Sequence, residues 1–165
     1  MAFIDTHTHL YQPAFDGDRD EAMARCAEAG VNTLLLPNID CASIPRVHAM
    51  MDQWPDRCLG MMGLHPCHVK ADSMEQELTT IEGALRDSGR RYVAVGEIGF
   101  DLYWDKTTLA IQHEAFERQV AWAKELGLPI VIHVREAFEA LFEAMDRLND
   151  DRLSGVVHCF TGNLE

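Results

Sequence analysis

The sequence predicts an α/β fold with parallel strands, because short apolar segments alternate with amphipathic segments along its 165 residues. Each round of this alternation takes about 30 residues, which is the size of a strand–helix–strand unit. The short segments are apolar almost throughout, as is typical of parallel strands that are covered on both faces. No linker or low-complexity tract divides the chain, so we expect a single domain over residues 1–165.

Six segments are predicted to be strands: residues 3–6, 31–36, 58–64, 92–96, 129–134 and 155–158. The clearest helical periodicity covers residues 109–126 and ends at Gly127, and further helical patterns cover residues 18–29 and 137–148. Six strands with intervening helices are compatible with an open doubly wound sheet or with part of a closed barrel. No glycine-rich phosphate-binding motif follows any strand, which argues against dinucleotide and nucleoside triphosphate binding.

The composition narrows the possible partners. The 14 Lys and Arg residues stand against 27 Asp and Glu residues, and the formal net charge is −13. This charge disfavours non-specific adhesion to nucleic acid or anionic membranes, so any nucleic-acid contact must be made at a local cationic site. The five cysteines form no C-x-x-C pair, which predicts neither a disulfide framework nor a zinc ribbon. Without a long apolar run or a signal-peptide pattern, we expect a cytoplasmic protein with no membrane partner.

Polar residues gather at the carboxyl ends of the predicted strands: His7, His9, Asn38, His65, Glu97, His133 and His158. Each taken alone has a structural explanation, such as a packed histidine or a paired carboxylate. Their coincidence at one end of several parallel strands indicates a divalent metal site. The expected ligands are His7, His9, Glu97, His133 and His158. Imidazole with carboxylate suits Zn, Mn, Fe or Ni, and a more hydrated site would also accept Mg, so the metal remains open.

Other residues near these strand ends are candidates for catalysis or substrate binding. His65 precedes Pro66 in an extended turn, so its imidazole is expected to reach substrate. Arg135, two residues after His133, is expected to hold a phosphate, with an exposed salt bridge as the alternative. Asp101 is expected to orient a catalytic group or act as a base, and its alternative role is a helix cap. Asp5 could support a ligand or cap its strand.

Five stretches of the chain resemble the TatD family of metal-dependent deoxyribonucleases, which belongs to the amidohydrolase superfamily. They read FIDTHTHL at residues 3–10, GLHP at 63–66, GEIGFD at 96–101, LPIVIHVREA at 128–137 and HCFTG at 158–162. The resemblance implies a TIM-type (β/α)8 barrel, of which this chain covers about the first six βα units. It also implies hydrolysis of phosphodiester bonds at single-stranded DNA ends with two divalent ions, often in the 3′-to-5′ direction. On this basis the ligand positions are His7, His9, Glu97, His133 and His158, and Glu97 is the bridging carboxylate. Together with the candidates named above, the expected catalytic residues are Glu97, His65 and Asp101.

The sequence departs from the family pattern at its carboxyl end. The family continues through two further βα units, whose last ligand is an Asp that also accepts a proton. We therefore expect an incomplete barrel with open edges at its first and sixth strands. Two other functions remain open: ester or amide hydrolysis, such as removal of D-aminoacyl groups from tRNA, and an inactive metal-binding fragment that pairs with another chain.

Overall fold

Six parallel strands form one curled sheet in a computed structural model of the protein, which describes residues 2–87 and 89–162. The strands follow the chain in the order β1-β2-β3-β4-β5-β6, so every neighbouring pair is joined by a crossover on one side of the sheet. Their bounds are β1 Phe3–Asp5, β2 Val31–Leu36, β3 Cys58–Met62, β4 Tyr92–Asp101, β5 Ile130–Arg135 and β6 Gly155–Val157. This arrangement confirms the predicted α/β fold with parallel strands.

Five α-helices connect the strands: α1 Arg19–Glu28, α2 Ile44–Gln53, α3 Met74–Arg86, α4 Leu109–Leu126 and α5 Phe138–Leu148. The main core lies between these helices and the outer face of the sheet. There Phe100 of β4 packs against Phe116 of α4 with ring centroids 5.0 Å apart, and both are fully buried together with Ile98 of β4. Helix α4 ends where the sequence predicts, because Gly127 adopts a left-handed conformation with φ of 65°. No helix in the described residues is long and apolar enough to cross a bilayer.

Strand β4 differs from its prediction. The sequence pattern ends it at residue 96, because a charged residue and a glycine follow, but the structure continues it to Asp101. Gly99 makes this continuation possible: its φ is 141°, and a Cβ at this position would clash with the backbone carbonyl of His133 on β5. The absence of a side chain therefore lets β4 and β5 stay paired, with Gly99 opposite His133 and Asp101 opposite Arg135.

The two edges of the sheet and its concave face are open. Phe3 and Ile4 on β1 are 50% and 61% exposed, and Val156 on β6 is 60% exposed. A mostly apolar cavity of about 400 Å³ lies against the concave face, between the first and last strands. These are the open edges that a half-barrel predicts, because a sheet of six such strands curls without closing.

Candidate metal centre

The structure brings together the strand-end residues that the sequence singled out. A cavity of about 600 Å³ opens at the carboxyl ends of the strands. Its lining includes His7, His9, His65, Glu97, Arg135, His133 and His158. Asn38 is the exception, because its side chain is fully buried and donates a hydrogen bond to the backbone carbonyl of Gly63. Asn38 thus joins two loops and stays out of the cavity.

Glu97 is the centre of this arrangement. Its side chain is almost completely buried, and four imidazoles surround its two carboxylate oxygens. Oε2 lies 3.1 Å from Nε2 of His7 and 3.6 Å from Nε2 of His9. Oε1 lies 3.3 Å from Nδ1 of His133 and 3.8 Å from Nε2 of His65. Each carboxylate oxygen therefore faces its own pair of histidines.

The electrostatics of this cluster favour a cation. Burial alone would raise the pKa of Glu97, but hydrogen bonds with the surrounding imidazoles outweigh it and hold that pKa well below its ordinary value. Burial and the neighbouring His7 lower the pKa of His158. Within the described residues, neither Lys nor Arg forms an ion pair with Glu97. A buried carboxylate surrounded by imidazoles is a donor set that suits divalent transition-metal ions.

His7 and His158 add a second indication. Their rings stack in parallel with centroids 3.5 Å apart, and a nitrogen of each lies within 4.8 Å of a Glu97 oxygen and of the other ring's nitrogen. Nδ1 of His7 is buried and makes no hydrogen bond in the part of the chain that the structure describes. The nitrogen of His7 that lies 3.1 Å from Glu97 is Nε2. His7, His158 and Glu97 can together offer three donor atoms to one ion.

A buried tyrosine fixes the orientation of His9. The hydroxyl of Tyr11 donates a hydrogen bond to the carbonyl of Pro37 at 2.6 Å, so its oxygen is free to accept one from Nδ1 of His9 at 2.8 Å. A neutral His9 that donates through Nδ1 has a lone pair on Nε2, the nitrogen that faces Glu97. Tyr11 thereby presents the metal-binding form of His9 to the cluster. Tyr11 is not among the residues predicted from the sequence, although His7, His9 and Tyr11 are spaced two apart.

Asp101 holds His133 in the same way. Its Oδ2 accepts a hydrogen bond from Nε2 of His133 at 2.8 Å, which leaves Nδ1 of that ring facing Glu97. Burial alone would lower the pKa of His133, but the contacts with Glu97 and Asp101 raise it overall. Oδ1 of Asp101 accepts from the backbone N–H groups of Tyr103 and Trp104. Asp101 therefore orients an imidazole and caps the following loop at once.

Unlike His9 and His133, His65 faces Glu97 with the nitrogen that carries its proton. Its Nδ1 accepts a hydrogen bond from the backbone N–H of Cys67 at 3.1 Å, so the proton of the neutral ring lies on Nε2. Burial lowers the pKa of His65 to about 4, which keeps the ring neutral at pH 7. His65 lies close enough to Glu97 and His133 to complete a metal-binding group with them. Because its Nε2 carries the proton, however, His65 is better suited to donate a hydrogen bond than to bind a metal ion.

The remaining sequence candidates lie around this centre. Arg135 is exposed at the rim of the cavity, with its guanidinium over the ring of Tyr103. Asp5 accepts a hydrogen bond from the backbone N–H of His7 at 3.1 Å, which fixes the backbone between them. His68, for which the sequence predicts no role in the site, pairs with Asp40 and lines a smaller cavity beside His65.

Comparison with known proteins identifies the family. Residues 4–165 match the family of TatD-related DNases. The uncharacterized metal-dependent hydrolase YabD of Bacillus subtilis is 34% identical over 162 residues, which are 98% of this chain and 62% of that protein. The 3′-5′ ssDNA/RNA exonuclease TatD of Yersinia pseudotuberculosis is 33% identical over 97% of this chain and 60% of its own length.

A solved structure agrees with these relatives. The crystal structure of YjjV, a TatD homologue from Escherichia coli, superposes with a TM-score of 0.86 at 33% identity and covers 98% of this chain and 61% of that chain. The agreement confirms the first units of the predicted TIM-type barrel. The chain spans 62% of the length of YabD. The motif resemblance is thereby confirmed, and the chain belongs to the TatD family of metal-dependent hydrolases.

Proposed function

We propose that the protein hydrolyses phosphodiester bonds in single-stranded nucleic acid, with DNA as the main substrate, as a metal-dependent 3′-to-5′ exonuclease. The observation that carries this proposal is the buried carboxylate of Glu97 between four imidazoles at the mouth of the half-barrel. The exonuclease name of the Yersinia pseudotuberculosis relative supports the choice of substrate. Five free cysteines favour a reducing compartment, and we propose the cytoplasm.

The proposed cofactor is a pair of divalent ions, from among Mg, Mn, Zn and Ni. His7, His9 and His158 would hold one ion, His133 would contribute to the other, and Glu97 would bridge them. These ions would supply Lewis-acid chemistry, which neutralises charge on phosphate oxygens and makes water a better nucleophile. The two oxygens of Glu97 suit the bridging role because each already faces a different pair of histidines.

The chain's own residues would bind and orient the phosphate. The neutral His65 would donate its Nε2 proton in a hydrogen bond to a non-bridging phosphate oxygen, because Cys67 already occupies Nδ1. Arg135, at the rim of the same cavity, would hold a neighbouring phosphate through its two-pronged guanidinium. Asp101 would act through His133, because its carboxylate keeps Nδ1 of that ring directed at Glu97.

A labelled oligonucleotide tests the proposal with the full-length protein. Single-stranded DNA with a 5′ fluorophore should shorten stepwise from its 3′ end, and chelation with EDTA should abolish the reaction. The Glu97→Gln variant should lose bound metal by elemental analysis and lose activity by at least about 100-fold. Glu82→Gln is the matched control, because Glu82 pairs with Arg86 on helix α3, away from the cavity.

Two results would contradict the proposal. Complete hydrolysis in excess EDTA would rule out a metal-dependent reaction. Release of a D-amino acid from charged tRNA, with DNA left intact under the same conditions, would reassign the centre to ester hydrolysis.

A further inference from the structure

We propose that Tyr103 and Trp104 form a stacking platform for an unpaired nucleobase beside the candidate metal centre. This proposal rests on the proposed nuclease function and adds the part of the substrate that the centre itself does not bind. The two residues lie in the loop that leaves the carboxyl end of β4, with one residue between them and the strand end at Asp101. An exposed aromatic surface at this point would bind a base next to the phosphate that the centre holds.

The exposure of Trp104 is the first observation. Its side chain is 70% exposed and that of Tyr103 is 45% exposed. By contrast, Trp122 is buried and Trp54 packs against the main core. An indole is a large apolar group, and leaving it in water beside Arg135, a residue that lines the cavity, has no folding benefit. Binding of an apolar, planar partner would explain this position.

The attachment of the loop to the metal centre is the second observation. Oδ1 of Asp101 accepts hydrogen bonds from the backbone N–H groups of Tyr103 at 3.0 Å and Trp104 at 3.2 Å. Oδ2 of the same carboxylate accepts from His133, whose other nitrogen faces Glu97. One buried carboxylate therefore sets the distance between the aromatic pair and the candidate ligands. A platform with a fixed position can select a base at a defined distance from the reacting phosphate.

Arg135 supplies the third observation. Its guanidinium carbon lies 3.5 Å from the ring centroid of Tyr103 and 5.7 Å from that of Trp104. No acidic side chain forms an ion pair with Arg135 in residues 2–87 and 89–162, so its charge is available to a ligand. The stacked guanidinium fixes the ring of Tyr103, and its charge is suited to a phosphate. The aromatic pair would thus bind a base, and Arg135 beside it would bind a phosphate of the same strand.

The charge of the protein explains why stacking would matter here. With a net charge of −13, the protein repels a nucleic-acid backbone except at a local cation. Stacking of a base on an aromatic ring does not depend on net charge, and it tolerates any of the bases. Loss of one stacked base typically raises the dissociation constant by about 5- to 150-fold.

Binding to oligonucleotides with and without bases tests the platform. Fluorescence anisotropy would measure the affinity of the full-length protein for labelled dT8 and for a matched abasic 8-mer, in EDTA so that no cleavage occurs. Trp104→Ala should weaken dT8 binding by about 5- to 150-fold and leave abasic binding unchanged. Trp104→Phe should retain most of the affinity, because a phenyl ring still stacks. Leu126→Ala is the control, since Leu126 is exposed at the end of α4 that leads into β5, at the opposite end of the sheet.

The outcomes separate this proposal from the nuclease function. Equal dT8 affinity of Trp104→Ala and the wild type would overturn the platform, even if the wild type hydrolyses DNA. Equal affinity of the wild type for dT8 and the abasic oligonucleotide would also overturn it. If the wild type prefers dT8 and Trp104→Ala loses that preference while no hydrolysis occurs with any divalent metal, the platform stands and the proposed function fails.

Discussion

Tyr11→Phe is the substitution that most directly tests how the chain prepares its candidate metal ligands. The change removes one oxygen atom from a side chain that is 1% exposed and leaves its ring in place. That oxygen donates to the carbonyl of Pro37 and accepts from Nδ1 of His9. Without it, His9 has no fixed partner at Nδ1, and the ring can place its proton on Nε2, where it faces Glu97.

The expected magnitudes follow from these two hydrogen bonds. Loss of a hydrogen bond that leaves a buried group unsatisfied typically lowers the free energy of unfolding by about 1–3 kcal/mol. Loss of a residue that orients a metal-bound histidine typically weakens metal affinity by about 10- to 100-fold. We therefore expect Tyr11→Phe to fold, to unfold at lower urea concentration, and to bind metal with clearly reduced affinity.

A matched substitution separates the two effects. Tyr92→Phe also removes a hydroxyl from a nearly buried ring that hydrogen-bonds to a histidine, His48, at 2.7 Å. Tyr92 begins β4 at the end of the strand opposite the cavity, so this variant should lose stability and retain metal affinity. Urea unfolding of the metal-free proteins and isothermal titration with Mn²⁺ or Zn²⁺ measure the two quantities. Equal metal affinity of Tyr11→Phe and Tyr92→Phe would refute a role of the Tyr11 hydroxyl in preparing His9 for metal binding.

Two further predictions concern the fold. In urea denaturation, Gly99→Ala should lower the free energy of unfolding by about 3 kcal/mol, because the added Cβ would meet the backbone of His133. Gly17→Ala is the control and should change that free energy by less than about 0.5 kcal/mol, because the space around its Cβ is open. Equal effects of the two substitutions would contradict the close approach of β4 and β5. Burial, and secondly the charge of Arg90, lowers the pKa of His48 from its ordinary value of 6.5. Below pH 6.5 the unfolded chain therefore binds a proton at His48 more readily than the folded protein does, so the free energy of unfolding decreases as the pH falls. The unfolding free energy of His48→Gln should therefore fall less steeply between pH 7 and 5 than that of the wild type, and identical slopes would refute this account.

Much of the site could be predicted from the sequence because its residues follow apolar strands. Parallel strands present their carboxyl ends on one side of a sheet, so the order of His7, Glu97, His133 and His158 along the chain was enough to predict that they meet. The separate duties of these residues could not be predicted in the same way. The tautomer of His65, for example, depends on the backbone N–H of Cys67, which becomes a donor only when the Pro66 turn has formed.

The extent of β4 shows a second limit of sequence interpretation. A glutamate, two glycines and an aspartate within residues 96–101 read as the end of a strand, because each is unfavourable in a buried sheet. In the structure their neighbours remove the penalty. Imidazoles surround Glu97, the imidazole of His133 pairs with Asp101, and Gly99 fits where no side chain could. The features that hide the strand from a sequence pattern are therefore the same features that form the site.

The distribution of charge connects the metal centre with the platform beside it. The cavity contains the carboxylate of Glu97 at its base and Arg135 at its rim, and five histidines line it between them. Before metal binds, such a cavity offers a phosphate little attraction, and the acidic exterior opposes its approach. Divalent cations would reverse the sign of the charge at the base only, because the ligands converge there. Phosphate binding would then depend on metal, whereas an aromatic surface such as Trp104 would bind a base whether metal is present or not.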